Sequence, residues 1–302
     1  PGARILWPGL ATLIAGGIAL AFWADSTPAG TSTAWGPSPA RPADGDWIAY
    51  GNDRGGSRFS PLEQITPSNV GNLKPAWTFH AGKLADGKVR TSFQANPIKV
   101  GSRLYLCAAN NDVIALDPET GRTLWRHSPK TDLTGVYGAV CRGVTYYSGP
   151  EARGLCAERI YTATLDARLI ALDAATGRPC PSFGRGGQVD LTSGLGKVGK
   201  GYYFVTSPPA LVRGKLVLGG WVIDGQKTGE PSGVMRAFDA VTGDFVWAFD
   251  IGRPNRHGLP PEGQTFTRGS PNSWAPMSSD EALGLIYVPT GNATPDYFGG
   301  HR

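Results

Sequence analysis

The sequence predicts an all-β protein assembled from repeated four-stranded units, the blades of a β-propeller. Three observations carry that expectation. The stretch VIALDPETGRTLW, beginning at Val113, returns as LIALDAATGRPCP from Leu169 and as MRAFDAVTGDFVW from Met235. The alanines that open the shared A-x-D-x-x-T-G pattern, Ala115, Ala171 and Ala237, stand 56 and 66 residues apart, a period that marks a repeated supersecondary unit. Composition agrees, because 43 glycines, 25 prolines and 10% aromatic residues suit many short strands and tight turns better than helices.

Each copy reads locally as strand, turn and strand. The apolar run at Val113 and Ile114 favours a sheet, Asp117 and Thr120 can hydrogen-bond the turn backbone, and Gly121 can take positive φ without a Cβ clash. Trp125 and Trp247, four residues past their glycines, are positioned to pack over the next unit. A partner strand lies upstream in every copy: RLYLCAA at Arg103, RIYTATL at Arg159 and KLVLGG at Lys215, with a fourth start, LIYVPTG, at Leu285. About four short strands per unit is the content of a propeller blade. Three complete repeats and the beginning of a fourth fill the chain, which is expected to be part of a longer, closed propeller.

Ahead of the repeats, residues 5–23 carry no charge, close to the ~20 residues needed to cross a bilayer, with Arg4 before them and Trp7 and Trp23 near the ends. Residues 1–25 therefore read as a transmembrane helix; a cleaved signal peptide is the rival, though the run is long for one. Residues 26–45, rich in Ser, Thr, Ala, Gly and Pro, read as a linker, and the folded part spans 46–302. The net charge of +5 is mild, and no Lys/Arg cluster interleaves with aromatics, which argues against nucleic acid.

The segment DWIAYGNDRGGSRFSPLEQITPSNVGNLKPAWTF, from Asp46, resembles the opening of the membrane-bound quinoprotein dehydrogenases that use pyrroloquinoline quinone (PQQ), the glucose/quinate/shikimate group among them. The likeness continues through CRGVTYY at Cys141, TSPP at Thr206, EPSGVMRAFD at Glu230 and SPNSWAP at Ser270. It implies an eight-bladed propeller, of which this chain holds about the first half, with PQQ and Ca²⁺ or Mg²⁺ near the axis. It also implies oxidation of a polyol, cyclitol acid or sugar, transfer of electrons to ubiquinone, and a place in the bacterial inner membrane with the propeller on the periplasmic side. The family's catalytic base is expected beyond residue 302.

PQQ is planar and carries three carboxylates, so its site needs an aromatic face and cationic donors. The resemblance assigns stacking to Trp274, an arginine fork to Arg142 and hydroxyl donors to Thr206 and Ser207, and adds Gln94 and Tyr137 to the cofactor set. Each has a plainer reading as a core or surface residue; the surrounding motifs raise the functional one. For the cation, a hard ion that wants oxygen ligands, the resemblance points to Asn292 and Asp224. Asp224 and Glu230 lie in an insertion, WVIDGQKTGEPSG: the third partner strand starts 22 residues before its motif alanine, whereas the first two start 12 before theirs. One departure bears on substrate: Gly138 stands where the glucose enzymes carry a histidine over the quinone, which shifts the expectation toward quinate, shikimate or a linear polyol.

The four histidines are scattered without paired spacing, and the four cysteines admit three pairings. Cys156 precedes a partner strand and Cys180 follows the turn of the same unit, which favours that pair. The competing function is a cofactor-free periplasmic scaffold of the same repeats that binds other proteins. Such a scaffold has no need of Arg142, Trp274 and Asn292.

Overall fold

The computed structural model describes residues 45–82, 89–149 and 154–300, within a compact unit spanning residues 41–302. The expected span and nearly all of the expected linker lie outside the described residues. Among the described residues no helix is long and apolar enough to cross a membrane, and the single helical turn is a 3₁₀ piece, Val70–Asn72.

The strands follow the repeats. After β1 (Thr91–Phe93), a four-stranded antiparallel sheet runs in sequence order through β2 (Ile98–Val100), β3 (Arg103–Cys107), β4 (Val113–Leu116) and β5 (Thr123–His127). β6 (Ala139–Cys141) returns to pair in parallel with β1. The second sheet comprises β7 (Thr145–Ser148), β8 (Glu158–Ala163), β9 (Arg168–Asp173) and β10 (Gln188–Asp190), again neighbour to neighbour. β11 (Tyr203–Phe204) precedes the third sheet, whose strands are β12 (Ala210–Val212), β13 (Lys215–Leu218), β15 (Met235–Asp239) and β16 (Phe245–Phe249). β14 (Trp221–Val222), carried by the insertion, leaves that sheet and pairs with β11. β17 (Ser278–Asp280) and β18 (Leu285–Tyr287) form the two-stranded beginning of a fourth. All four upstream runs seen in the sequence are therefore strands.

The three A-x-D-x-x-T-G turns are built alike. Asp117 Oδ1 accepts from the Glu119 and Thr120 amides at 2.9 and 3.0 Å; Asp239 Oδ1 accepts from the Val241 and Thr242 amides at 2.9 and 3.1 Å. Asp173 Oδ1 takes the amide and the hydroxyl of Thr176 at 2.9 and 2.7 Å. Gly121, Gly177 and Gly243 then adopt φ of +70°, +71° and +77°, where a side chain would be strained.

These glycines also receive the aromatic ring of the unit before. Trp125 lies over Gly177 so closely that a Cβ there would come within 2.5 Å of Cε3, and its indole N–H donates to the Ala174 carbonyl at 3.0 Å. Trp77 repeats the arrangement one unit earlier, over Gly121 and on the Pro118 carbonyl at 3.1 Å. In the second copy Pro181 occupies the tryptophan position, and Phe183 approaches Gly243 instead. Trp247 packs, along with Met277 and Ile286, on the third-sheet cluster of Val212, Val217 and Ala237. We expect Gly177→Ala to cost about 1–3 kcal/mol, since it combines positive φ with a collision against a buried ring. Urea denaturation reads this directly, and an unchanged midpoint would show that Trp125 does not dock there.

Both disulfides are formed. Cys156–Cys180 closes the second sheet as the sequence favoured, and Cys107–Cys141 ties β3 to β6. The core is a set of layers between and within sheets, with Ile98, Val113, Leu169, Leu172 and Leu216 fully buried.

Candidate functional site

Three connectors, one after each complete sheet or just before the next, bring the predicted residues together. β6 hands the chain to Arg142, whose carbonyl accepts from the Asn96 amide and whose amide donates to the Thr206 carbonyl, both at 2.9 Å. The connector after β11 supplies Thr206 and Ser207, and the one before β17 supplies Trp274. The Arg142 Nη1 donates to Thr206 Oγ1, and the Thr206 and Ser207 hydroxyls donate to the Trp274 carbonyl at 3.3 and 2.6 Å. Four residues chosen from sequence thus form one hydrogen-bonded group.

Trp274 is 42% exposed although its neighbours Asn272 and Ser273 are buried. Its ring is not sealed in a sheet, and the Arg142 guanidinium carbon lies 5.0 Å from its centroid. The cation contact holds the indole from one direction. Arg142 itself is half-buried, and no described carboxylate pairs with it. Burial pushes its guanidinium below the ordinary value, against the influence of Tyr50, but an arginine stays charged at neutral pH. A cation taken partly out of water without a counter-ion favours an anionic ligand.

A second ring, Trp221 on β14, adjoins the first at 6.3 Å between centroids and 39° between planes. Tyr137, 64% exposed, meets Trp221 edge to face at 6.2 Å, and Phe204 packs behind it at 4.9 Å. Sequence reasoning missed Trp221; the paired glycines before it were the available signal. Gln94 is exposed just past β1, and its side-chain amide bonds Ser92 Oγ at 3.3 Å, not the arginine group.

The expected cation ligands are placed unevenly. Asp224 accepts from the Asn272 side-chain amide at 2.8 Å, and its carbonyl accepts from the Asp296 amide at 2.8 Å. Asn292 donates to Asp296 Oδ1 at 2.9 Å, so Asp224 and Asn292 meet through Asp296. Glu230 is buried on a segment whose carbonyl bonds the Gly269 amide. Among the described residues no three of the His, Cys, Asp and Glu side chains gather to hold an ion. Two buried oxygens, Asn272 Oδ1 and Glu230 Oε1, nevertheless lack a hydrogen-bond partner, as oxygens suited to a hard cation would. Asn272, two residues before Trp274, is the second residue the sequence reading passed over. A separate cavity of about 880 Å³, lined by Tyr50, Arg54, Thr145, Pro208, Met277 and Tyr287, contains none of the arginine group.

An all-β array of four-stranded units, the strand content of propeller blades, carries an arginine–indole pair at its connectors. Residues 47–302 match the family described as PQQ: Glucose/ethanol/alcohol dehydrogenase, beta-propeller domain, and the chain belongs to this family. It is 47% identical to the glycerol dehydrogenase large subunit of Gluconobacter oxydans (strain 621H), over 87% of this chain and 36% of that one. It is 40% identical to quinoprotein glucose dehydrogenase A of Acinetobacter calcoaceticus, over 86% and 34%. It is 37% identical to the quinate/shikimate dehydrogenase (quinone) of Acinetobacter baylyi, over 85% and 34%. The quinohemoprotein alcohol dehydrogenase of Comamonas testosteroni is similar in structure, with a TM-score of 0.64 at 27% identity over 83% of this chain and 36% of that one. The chain spans about a third of the length of the curated relatives it matches.

Proposed function

We propose that this chain is the first part of the propeller of a membrane-bound quinoprotein dehydrogenase, which oxidises a polyol or cyclitol acid with PQQ and passes the electrons to ubiquinone. The observation that carries the reading is Arg142, a half-buried cation without a counter-ion among the described residues, lying against the partly exposed indole of Trp274. Identity of 47% to a glycerol dehydrogenase large subunit supports a polyol, and Gly138 in place of the glucose enzymes' histidine supports it further. The membrane anchor, the eight-bladed closure and the periplasmic location belong to the same proposal.

Bound PQQ supplies a carbonyl carbon that accepts hydride from an alcohol carbon. The residues of this chain fit its binding: the indole of Trp274 offers a stacking face, Arg142 a planar cationic fork, and Thr206 and Ser207 hydroxyls beside it. Their hydrogen bonds to the Trp274 carbonyl fix the main chain that carries the indole before any ligand arrives, so less ordering remains to be done on binding. Ca²⁺ or Mg²⁺ would be held by side-chain oxygens of Asp224, Asn292 and Glu230, and Gln94 and Tyr137 belong to the cofactor set. The base that removes the hydroxyl proton is assigned to the remainder of the protein.

The test is reconstitution of the full-length protein with PQQ and Ca²⁺ or Mg²⁺, followed by dye reduction with glycerol, quinate, shikimate and glucose. We expect quinone retention and faster reduction with glycerol or the cyclitol acids than with glucose. Neither retention nor reduction with any of the four would sink the assignment and leave the scaffold reading.

A further inference from the structure

We propose that Trp221 is a positioning residue of this site: it sets the orientation of Trp274 and joins it to Tyr137, so that one preformed aromatic corner receives the flat ring. The inference rests on the quinone reading given above and names a residue outside the assigned set.

The argument begins with how the main chain delivers Trp221. Gly219 lies against the backbone of Ser273, where a Cβ would come 2.6 Å from the Ser273 carbonyl oxygen. Gly220 lies against the Tyr203 ring, where a Cβ would come 2.4 Å from Cε2. Two adjacent positions thus admit only glycine-sized residues; Gly219 seats the chain on the segment that carries Trp274, and Gly220 seats it on β11. β14 then pairs with β11 in a register that sets Trp221 opposite Phe204, with ring centroids 4.9 Å apart.

Anchored in this way, Trp221 meets two further rings. It is tilted 39° against Trp274 and stands at 76° to Tyr137. Arg142 completes the enclosure of Trp274 at 5.0 Å. Without Trp221, the exposed indole of Trp274 would keep its carbonyl hydrogen bonds but lose the contact that defines its side-chain tilt, and Tyr137 would lose its ring partner. The four rings come from four separate stretches, and Trp221 alone touches the other three.

A double-mutant cycle on the full-length protein separates positioning from simple packing, using PQQ titration by quenching of indole fluorescence with saturating Ca²⁺. Trp221→Leu is expected to weaken retention about tenfold in the native background and by less than about twofold in a Trp274→Ala background, because it acts through that ring. Trp221→Phe should restore most of the loss. Equal losses in both backgrounds would overturn the proposal. Should Trp221→Leu not fold, the cycle is run with Trp221→Met, whose loss in the native background must again exceed its loss in the Trp274→Ala background. Near-ultraviolet circular dichroism without quinone gives a second readout: Trp221→Phe and Trp274→Phe should each remove the same coupled-indole band, and independent changes would count against the proposal. If the unsubstituted protein retains no quinone, the functional assignment falls, and the dichroism alone decides whether Trp221 orients Trp274.

Discussion

Trp274→Ala is expected to weaken PQQ retention by roughly 5- to 150-fold, taking ~1–3 kcal/mol as the value of stacking a flat ring on an aromatic side chain. The substitution removes the exposed face and also the surface against which Arg142 lies. The informative comparison is Trp247→Ala. That ring packs on Val212, Val217 and Ala237 of the third sheet, so its loss should lower stability while leaving affinity within about twofold. Fluorescence titration of the two full-length variants, with melting temperatures measured alongside, distinguishes the cases. Equal losses of affinity would mean that Trp274 acts only through the fold.

Removing the Cys107–Cys141 disulfide by a paired alanine substitution is expected to cost about 3–4 kcal/mol, from the 34-residue separation it closes in the unfolded chain. It should also reduce quinone retention, because Cys141 directly precedes Arg142 and anchors the end of β6 to β3. The Cys156–Cys180 disulfide closes a 24-residue separation, so the matched substitution should cost a similar amount of stability, but neither cysteine adjoins Arg142 in the chain. Urea midpoints and PQQ titrations on both variants therefore predict one shared effect and one separate effect. Full retention in the Cys107/Cys141 variant would show that Arg142 is held by its hydrogen bonds to Thr206 and the Asn96 backbone alone.

The repeats were legible because their turn needs particular residues. An aspartate must accept hydrogen bonds from the turn, and a glycine must accept both positive φ and a close neighbour, so Asp117, Asp173 and Asp239 with their glycines announce themselves. The arginine group was legible only through the motifs around it, since nothing local marks Arg142 as sharing a site with Thr206 and Trp274, 64 and 68 residues apart from one another along the chain. Trp221 was not legible, because it lies in an insertion that has no counterpart in the other repeats. Phe183 substituting for a tryptophan was hidden for a related reason: the ring moved two positions past Pro181 and its identity changed. Asn272 was hidden by its neighbour. Its buried amide, with one end on Asp224 and the other unpartnered, emerges only from three-dimensional placement.

The connectors that bear Arg142, Thr206 and Trp274 each lie at a different junction between consecutive sheets. A guest seated among them acts as a strap across three seams, and whatever holds it also resists the parting of the sheets. Thermodynamic linkage then requires that occupancy raise the unfolding temperature in proportion to the logarithm of guest concentration above its dissociation constant. Conversely, a change that breaks the hydrogen bonds joining these connectors drains affinity from the whole.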